Sequence, residues 1–401
     1  MAEPDFAYAI IGGGLAAVSA VEGIRELDKA GSILLLSQEK HLPYHRPPLT
    51  KQLWSGKKKV EDIFVKGQGF YDDNGVRLML STRAVAIDAR RKTVTDDKGR
   101  TSRFNKLLLA TGGSPKRLPI PGADLDGVCY YRYLDDYLAT RPAAADGKSA
   151  VVIGGGFIGS EIAAALTLNH VAVTMIFHGA CLCDRVFPAE LGQAIQERYR
   201  QRGVNILSGD RPATISRAGG RWITRTANGR QVESDLVLVG VGIEPSASLA
   251  QAAGLRTDNG IVVNERLQTS HPDIFAAGDN ALFPYQALGV SARVEHWDNA
   301  LNQGKWAGRN MAGANDSFTH MPYFYSDLFE FGYEAVGDVD PRLETFADWE
   351  KPNDTGVVYY LRDGKVRGAM MCNVWDKVDA AREMIRKARR VEPRELAGAI
   401  R

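Results

Sequence analysis

The sequence is poor in cysteine. Cys129, Cys181, Cys183 and Cys372 are the only four among 401 residues, a content that suits a reducing compartment and offers no disulfide framework. No cysteine precedes residue 129, so the N-terminal part cannot carry a dithiol redox pair. Cys181 and Cys183 could form a redox or metal site, but two cysteines alone do not supply the four ligands of a structural metal site. We therefore predict no metal centre.

Excess charge of one sign and long apolar runs are lacking as well. The formal net charge is +2, which gives no reason to expect nucleic acid or an acidic membrane surface as a partner. No run of about 18 apolar residues could span a bilayer, and the N-terminus shows no signal or transit pattern. The sequence predicts a cytoplasmic protein with no nucleic-acid or membrane partner.

Glycine, in contrast, is abundant, at 41 residues, and two glycine clusters occur in the same setting. The apolar runs 7–11 and 150–153 each meet three glycines and then pass into an Ala-rich helical pattern. Strand, tight turn and helix in this order form a dinucleotide site, because the turn lets backbone approach a pyrophosphate and the helix start attracts its charge. We predict two bound nucleotides; two ordinary tight turns are the alternative.

Both glycine clusters lead to a second strand, at residues 33–36 and 171–177. In such units a carboxylate after the second strand usually holds the hydroxyls of the adenosine ribose. Gln38 and Glu39 occupy this place in the first unit.

The segment HLPYHRPPLTKQLW, residues 41–54, is dense in proline. Pro47 and Pro48 predict an extended turn. Such a rigid loop can hold Arg46 and Lys51 at fixed positions over a bound cofactor, and a stiff surface loop is the alternative.

Three further motifs carry a specific resemblance. They are PYHRPPLTK at 43–51, LLLATGG at 107–113 and IFAAGD at 274–279. Together they resemble the FAD-dependent pyridine nucleotide reductases, and within them the apoptosis-inducing factor-like proteins and the ferredoxin reductases of oxygenase systems. Segments 323–340 and 357–375 are similar to the C-terminal domain of apoptosis-inducing factor. The likeness covers essentially the whole chain.

The resemblance implies an α/β fold with two Rossmann-like dinucleotide-binding domains of the glutathione-reductase type and a small α+β C-terminal domain. We expect a discontinuous FAD-binding domain at 1–114 and 246–322, an NAD(P)H-binding domain at 115–245, and the C-terminal domain at 323–401. The implied cofactor is FAD, with NADH or NADPH as electron donor. A ferredoxin-type electron carrier is the implied partner, and a homodimer is compatible with the resemblance.

The implied chemistry, hydride transfer from nicotinamide to flavin N5, needs no protein nucleophile, so residues that position the rings and tune the flavin matter most. By resemblance Lys51 and Glu161 pair beside flavin N5 and are the expected catalytic residues. We expect Glu161 in the first turn of its helix, where the helix dipole alone would also favour a carboxylate. Phe157 matches an aromatic residue that shields the flavin, and Arg132 matches an arginine near the isoalloxazine.

Other residues match flavin contacts of the family. Asp279 matches the residue that hydrogen-bonds the ribityl chain, with an N-cap role as the alternative. The segment Glu295-His296-Trp297 matches a Glu-His segment at the flavin, with a purely structural His296 as the alternative. The remaining residues expected at the flavin or the nicotinamide nucleotide are Gly12, Gly14, Leu15, Ala16, Val85, Ala110, Thr111, Gly112, Gly154, Gly156, Ile158, Gly242 and Gly278.

The sequence departs from the family at two places. After the second unit's second strand the family often has an acid, yet none occurs here before Asp184. Gly179 stands at that place and is expected to leave room for a 2′-phosphate, while Arg185 matches a family lysine. We therefore expect only a weak preference between NADH and NADPH, within about tenfold in affinity or about 1.4 kcal/mol in binding free energy. Tyr325 stands where apoptosis-inducing factor has Trp near the nicotinamide side of the flavin, which keeps an aromatic ring.

Two functions fit these observations. The first is a reductase that passes electrons from NAD(P)H to a ferredoxin or another one-electron carrier. The second is a redox-responsive binding protein, in which long-lived reduced flavin with bound NAD⁺ changes an oligomer or a partner surface.

Overall fold

The computed structural model describes residues 5–400. The α-helices are α1 Leu15–Leu27, α2 Gln68–Asp73, α3 Leu134–Ala143, α4 Phe157–Leu168, α5 Ala189–Gln201, α6 Ser248–Ala252, α7 Trp297–Met311, α8 Val378–Lys387 and α9 Pro393–Leu396. Short 3-10 helices span Pro47–Thr50, Val60–Ile63 and Gln286–Leu288. The strands up to the middle of the chain are β1 Asp5–Ile11, β2 Ile33–Leu36, β3 Val76–Met79, β4 Ala84–Asp88, β5 Thr93–Asp96, β6 Thr101–Leu109, β7 Gly113–Pro115, β8 Val128–Tyr130, β9 Ser149–Ile153, β10 Ala172–Phe177, β11 Asn205–Ser208, β12 Pro212–Ala218 and β13 Arg221–Thr226. The remaining strands are β14 Gln231–Ser234, β15 Leu236–Val239, β16 Ile243–Pro245, β17 Thr257–Asp258, β18 Gly260–Val262, β19 Ile274–Ala276, β20 Ala281–Tyr285, β21 Val290–Ala292, β22 Tyr323–Leu328, β23 Phe331–Gly337, β24 Glu344–Lys351, β25 Thr355–Arg362 and β26 Lys365–Cys372.

These elements form two compact units. The first contains the chain up to His45, Val60–Ser114 and Glu244–Pro322. The second contains Arg46–Lys59, Pro115–Ile243 and the chain from Tyr323 onward. Residues 46–54 of the proline-rich segment therefore belong to the second unit, although residues 41–45 before them belong to the first. The three domain boundaries expected from the sequence stay a prediction.

The first unit is built on a sheet with strand order β3-β2-β1-β6-β5-β4, in which β19 also pairs with β6. The pairs of β1 with β2 and β6 are parallel, and Ile11 lies level with Leu36 and Leu109. The carboxyl ends of these three strands therefore meet at one edge, where a doubly wound sheet binds its ligands. A smaller sheet has the order β17-β18-β20-β21.

Helix α1 lies against α7 through small residues. A Cβ atom at Gly304 would lie 2.2 Å from the Ala16 carbonyl oxygen, and one at Gly308 would lie 2.1 Å from the Ala20 carbonyl oxygen. The two backbones are in direct contact, so any side chain at either glycine would force the helices apart.

The second unit contains a parallel sheet with strand order β11-β10-β9-β15-β8 and a three-stranded sheet β12-β13-β14. Its strands carry continuous apolar runs such as Val151–Ile153, which are buried on both faces as parallel strands require. The C-terminal part of this unit is an antiparallel sheet with the order β22-β23-β26-β25-β24, and α8 packs on β23 and β26. The predicted fold class, two Rossmann-like elements with a C-terminal sheet domain, is confirmed. No helix within residues 5–400 is long and apolar enough to cross a bilayer.

Candidate functional site

The first glycine turn joins β1 to α1 in the first unit. Gly12 has a φ of +130°, and a Cβ there would lie 2.0 Å from the Ala110 carbonyl oxygen at the end of β6. A Cβ at Gly13 would lie 2.0 Å from Ser37 Oγ, whereas one at Gly14 would meet nothing within 4 Å. Two glycines are thus needed for close packing, and the third opens toward solvent.

Helix α1 begins at this open glycine, and no side chain of the helix start bonds its first N–H groups. Gly14 is the N-cap residue, no side chain caps the helix, and its first turn contains no acidic residue. The first N–H groups of an α-helix have no intrahelical acceptor, so this end can receive an anion. The turn, with Leu15 and Ala16 at the helix start, therefore fits a dinucleotide pyrophosphate.

The predicted ribose acid lies just beyond β2. Glu39 accepts a hydrogen bond of 2.5 Å from the hydroxyl of the buried Tyr44, which orients its carboxylate, while Gln38 is exposed. Val85 lies on the edge strand β4, separated from β1 by β5 and β6, and is 46% exposed.

Asn280 lies between β19 and β20, binds the end of β6, and was not expected from the sequence. Its side-chain amide donates to the Leu109 carbonyl at 3.0 Å and to Thr111 Oγ1 at 2.8 Å. Thr111 in turn donates to the Ser246 carbonyl at 2.6 Å. This network fixes the predicted segment Ala110-Thr111-Gly112, but a lone Asn gives no sequence signal for such a contact.

The segment around Gly278 follows β19. Gly278 has a φ of +85°, and its N–H donates to Gln303 Oε1 of α7 at 2.9 Å. The next element after Asp279 is strand β20, so the alternative of an N-cap role for Asp279 is wrong. The Asp279 carbonyl accepts a bond from Arg293, which also pairs with Glu295 at 2.5 Å.

The Glu-His-Trp segment leads into α7, whose N-cap residue is His296. Desolvation by burial lowers the pKa of His296 to about 4, so its imidazole is neutral at pH 7. Trp297 Nε1 donates to Nδ1 of His45 at 2.9 Å. A neutral histidine beside an anchored indole can offer a hydrogen bond without adding a charge.

The proline-rich segment differs from its predicted conformation. Pro47–Thr50 is a 3-10 helix, and Arg46 before it is in the right-handed helical region with φ −78° and ψ −34°. The expected extended turn is therefore wrong. Local preference before proline is overridden because the Leu49 carbonyl accepts bonds from Trp54 Nε1 at 2.8 Å and from the Tyr131 hydroxyl at 2.6 Å.

Arg46 lies at the start of this 3-10 helix and is held within the second unit. Its guanidinium donates to the Arg132 carbonyl at 2.8 Å and lies over the Tyr133 ring at 5.2 Å. The predicted residues Arg46 and Arg132 are therefore neighbours in space. The contact is between the Arg46 side chain and the Arg132 backbone carbonyl, and not between the two guanidinium groups.

Lys51 and Glu161, predicted to pair, do so in the second unit. Lys51 Nζ lies 3.2 Å from Glu161 Oε1 and 3.2 Å from Asp327 Oδ2, and the Lys51 and Glu161 side chains are 8% and 7% exposed. The same ammonium lies 4.3 Å from the centroid of the Tyr325 ring. Burial lowers the pKa of Lys51, but the two carboxylates outweigh it and raise that pKa above its ordinary value. Lys51 is therefore a fixed positive charge at neutral pH.

Two hydroxyls complete the carboxylate's surroundings. Thr50 Oγ1 donates to Glu161 Oε2 at 2.5 Å, and Ser326 Oγ donates to Glu161 Oε1 at 2.6 Å. Thr50, Ser326 and Asp327 were not expected from the sequence, since single polar residues on a short 3-10 helix and a strand carry no pattern. We call Thr50, Lys51, Glu161, Ser326 and Asp327 the Lys51 cluster.

Glu161 lies in the second turn of α4, not in the first as expected, since α4 begins at Phe157 and its first turn has no acidic residue. The helix dipole acts mainly within the first turn, so it does not explain this carboxylate. The charge and hydroxyls of the Lys51 cluster do. Phe157 packs its ring against Phe324 at 5.3 Å, and Ile158 beside it is 39% exposed.

The second glycine turn repeats the construction of the first. Gly154 has a φ of +122°, and a Cβ there would lie 2.3 Å from the Gly240 carbonyl oxygen. A Cβ at Gly156 would meet nothing within 4 Å, and α4 starts there with no side-chain cap. Gly242, after β15, has a φ of +97°. This turn fits the pyrophosphate of a second dinucleotide.

The end of β10 corrects one expectation. Gly179 does not leave room, because a Cβ there would lie 2.2 Å from Oδ2 of Asp184. An acid is therefore present at the strand end, although it comes from five residues further along the chain. Arg185 beside it is exposed.

Cys181 and Cys183 lie in the same loop and are buried. Burial raises the pKa of Cys183 to about 12 and that of Cys181 above its ordinary value, so both are thiols at neutral pH. Over residues 5–400 no three His, Cys, Asp or Glu side chains are grouped to hold a metal ion.

Comparisons with known proteins agree with this geometry. The family "Pyridine nucleotide-disulphide oxidoreductase" matches residues 6–304, and "Apoptosis-inducing factor, mitochondrion-associated, C-term" matches residues 307–355. The chain is 34% identical to the ferredoxin–NAD(+) reductase component of an anthranilate 1,2-dioxygenase system from Burkholderia cepacia, over 97% of this chain and 96% of that protein. It is 33% identical to mitochondrial apoptosis-inducing factor 1 of Dictyostelium discoideum, over 97% of this chain and 80% of that protein. A solved ferredoxin reductase from Rhodopseudomonas palustris superposes with a TM-score of 0.91 at 30% identity, covering 98% of this chain and 97% of that one.

Proposed function

Because the chain belongs to the pyridine nucleotide-disulphide oxidoreductase family and is an FAD-dependent NAD(P)H oxidoreductase, we propose that its electron acceptor is a ferredoxin-type protein. Relatives named as ferredoxin or rubredoxin reductases support this acceptor. The structure of a covalent complex of putidaredoxin reductase with putidaredoxin contains a similar chain, which is 31% identical with a TM-score of 0.92.

The observation that carries the proposal is the Lys51 cluster in a chain with no cysteine before residue 129. Flavin disulfide reductases of the type that this chain resembles carry their redox pair in the N-terminal nucleotide unit, and this chain has no cysteine there. The chain has instead the buried Lys51 ammonium, whose position is fixed and which we propose acts by its charge. Electrons must then leave toward an outside acceptor rather than to an internal disulfide.

FAD suits the first unit. The open glycine turn at Gly12 and Gly14 would hold the pyrophosphate, and Glu39 would accept from the ribose hydroxyls. When bound, FAD supplies hydride acceptance from nicotinamide and release of single electrons. The second glycine turn would hold the pyrophosphate of NADH or NADPH.

The Lys51 cluster has a positioning and electrostatic role in this proposal. Glu161 and Asp327 hold the Lys51 ammonium, and Thr50 and Ser326 fix the Glu161 carboxylate from two sides. A charge held before the reaction starts needs no reorganisation during it, which is how preorganised groups lower a barrier. We propose that this ammonium acts at flavin N5.

The test is a stopped-flow experiment on the FAD-loaded protein with NADH, NADPH and a [2Fe–2S] ferredoxin. We expect fast flavin reduction, followed by reoxidation that depends on ferredoxin concentration. Reoxidation by ferredoxin no faster than by buffer oxygen would contradict the proposed acceptor.

A second candidate is the redox-responsive binding protein, which the match of residues 307–355 to the apoptosis-inducing factor C-terminal family favours. It predicts a long-wavelength charge-transfer band that persists for minutes after NADH is added. Rapid loss of that band on addition of ferredoxin would favour the reductase. A cytoplasmic location, a homodimer and the absence of a membrane partner remain predictions.

A further inference from the structure

Asp184 and Gly179 share one position at the carboxyl end of β10. A Cβ at Gly179 would lie 2.2 Å from Asp184 Oδ2 and 2.8 Å from Asp184 Cγ. The carboxylate of Asp184 thus fills the space in which a side chain of residue 179 would begin. We propose that Asp184 supplies the carboxylate that binds the adenosine ribose of the nicotinamide nucleotide and makes this protein prefer NADH. The inference rests on the proposed use of the second glycine turn.

The location suits this role because it adjoins the second glycine turn. A Cβ at Gly155 would lie 2.7 Å from the ring of Phe177, the last residue of β10. The Cys183 N–H donates to the Gly155 carbonyl at 2.8 Å, so the residue before Asp184 is bonded to the turn itself. In this type of unit the ribose binds beyond the end of the second strand, beside the turn.

Backbone hydrogen bonds and close packing hold the loop that carries Asp184. Cys183 has a φ of +53°, and its carbonyl accepts bonds of 2.9 Å from the N–H groups of both Val186 and Phe187. Leu182 and Phe187 are buried, at 0% and 1% exposure. A Cβ at Gly192 of α5 would lie 2.4 Å from Cys181 Sγ, so the loop also packs tightly on that helix. The two cysteines therefore serve to set the loop.

Asp184 itself is exposed, so its carboxylate is available to a ligand. A carboxylate at this place can accept from both the 2′- and the 3′-hydroxyl of the ribose, and it repels a 2′-phosphate. The neighbouring Arg185 would favour a phosphate, but it is not the residue that lies on Gly179. We therefore expect NADH to be preferred by more than about tenfold, rather than only weakly.

The test uses calorimetric binding of ADP-ribose and 2′-phospho-ADP-ribose to the FAD-loaded protein, because neither probe can reduce the flavin. We expect the wild type to bind ADP-ribose more tightly by more than about tenfold. Asp184→Asn should shift the affinity ratio toward the phosphorylated probe by about thirtyfold, by losing an acceptor and a repulsive charge while Arg185 stays. Glu233→Gln, which removes an exposed carboxylate on β14, should leave the ratio within about twofold.

Gly179→Ala is a second variant that keeps Asp184 in the chain. Its Cβ would displace only the end of a flexible side chain, so the fold should be retained. It should shift the ratio in the same direction as Asp184→Asn. If the wild type binds ADP-ribose as expected and neither variant changes the ratio of the two affinities, the role of Asp184 is overturned while the proposed function is unaffected. Failure of the wild type to bind either probe would overturn the nicotinamide site of the proposed function as well.

Discussion

The two glycine turns have the same construction, but the helices that follow them carry different residues. In both, the first glycine approaches a backbone carbonyl, that of Ala110 in one and of Gly240 in the other, and the third glycine faces open space. The helices behind them differ. The fifth residue of α1 is the buried Ser19, and α1 is buried against α7, whereas the fifth residue of α4 is Glu161 of the Lys51 cluster. The glycine turn is thus common to both units, whereas only the helix after the second turn contributes a carboxylate to the Lys51 cluster.

The largest expected effect is the loss of a different ligand when the first glycine of each turn is replaced. Gly12→Ala places a Cβ 2.0 Å from a carbonyl oxygen at a φ that L-residues rarely adopt, so it should cost more than about 3 kcal/mol of stability and abolish FAD binding. Gly154→Ala, made in the same way, should lose NAD⁺ binding but keep FAD. Cofactor absorbance, NAD⁺ calorimetry and thermal unfolding measure this.

Gly14→Ala and Gly156→Ala are the matched controls for stability, because a Cβ at either position meets nothing within 4 Å. Both should unfold within a few degrees of the wild type. A Gly12→Ala protein with full FAD content would show that the close approach to Ala110 is not required.

The next effect concerns the chemistry carried by α4. Lys51→Ala and Glu161→Gln should each slow flavin reduction by about a hundredfold, since each removes a preorganised partner of the Lys51 cluster. Ser19→Ala at the corresponding position of α1 should leave the rate unchanged. Single-turnover absorbance measures it, with far-ultraviolet circular dichroism as the check on folding. Wild-type rates in both Lys51 cluster variants would remove the cluster from the mechanism.

Acid should destabilise the first unit more than the second, and alkali should destabilise the second unit more than the first. The pKa of His296 in the first unit falls from 6.5 to about 4 on folding, so the unfolded chain binds more protons between these values. Stability of that unit should fall as the pH is lowered from 6.5 toward 4, by at most about 1.4 kcal/mol per pH unit and by less because water partly reaches the ring. The pKa of Lys51 is raised, so its contribution to the second unit is complete below pH 10.5 and is lost as the pH rises above it.

Limited proteolysis with mass spectrometry at pH 5, 7 and 11 distinguishes the two units. Acid should expose cleavage sites in the first unit before the second, and alkali should do the reverse. His296→Asn should weaken the acid effect. The same unit opening first at both extremes would contradict these assignments.

The smallest effect tests how finely Glu161 is held. Ser326→Ala removes one of its two hydroxyl donors and should slow flavin reduction about threefold to tenfold, which is up to about 1.4 kcal/mol of barrier. Thr50→Ala should match it, because Thr50 bonds the other oxygen. A combined variant slower than the product of the two effects would show that either hydroxyl can partly replace the other.

What could be predicted from the sequence depended on how local the cause was. Glycine turns, the parallel strands and their order along the chain follow from short patterns, and the structure shows them at Gly12 and Gly154. The pairing of Lys51 with Glu161 was expected only through family resemblance, and the structure brings them within 3.2 Å. The flavin and nicotinamide contacts of the other predicted residues stay predictions.

The errors arose where a residue outside the short local pattern decides the structure. The 3-10 helix at Pro47–Thr50 depends on bonds from Trp54 and Tyr131 to the Leu49 carbonyl. Asn280 and Ser326 gain their meaning only when strands far apart in the chain meet. Gly179 looked like empty space because its occupant is five residues away, around a left-handed turn.

The division of the chain between the units also bears on its synthesis. The chain passes from one unit to the other five times, after residues 45, 59, 114, 243 and 322. On the ribosome, α1 emerges early with the small residues that must lie on α7, yet α7 ends only at Met311. The first unit therefore cannot close its core until about three quarters of the chain has left the exit tunnel. Its parallel strands wait exposed during that time, so slow translation or early termination should yield an aggregating fragment rather than a folded domain.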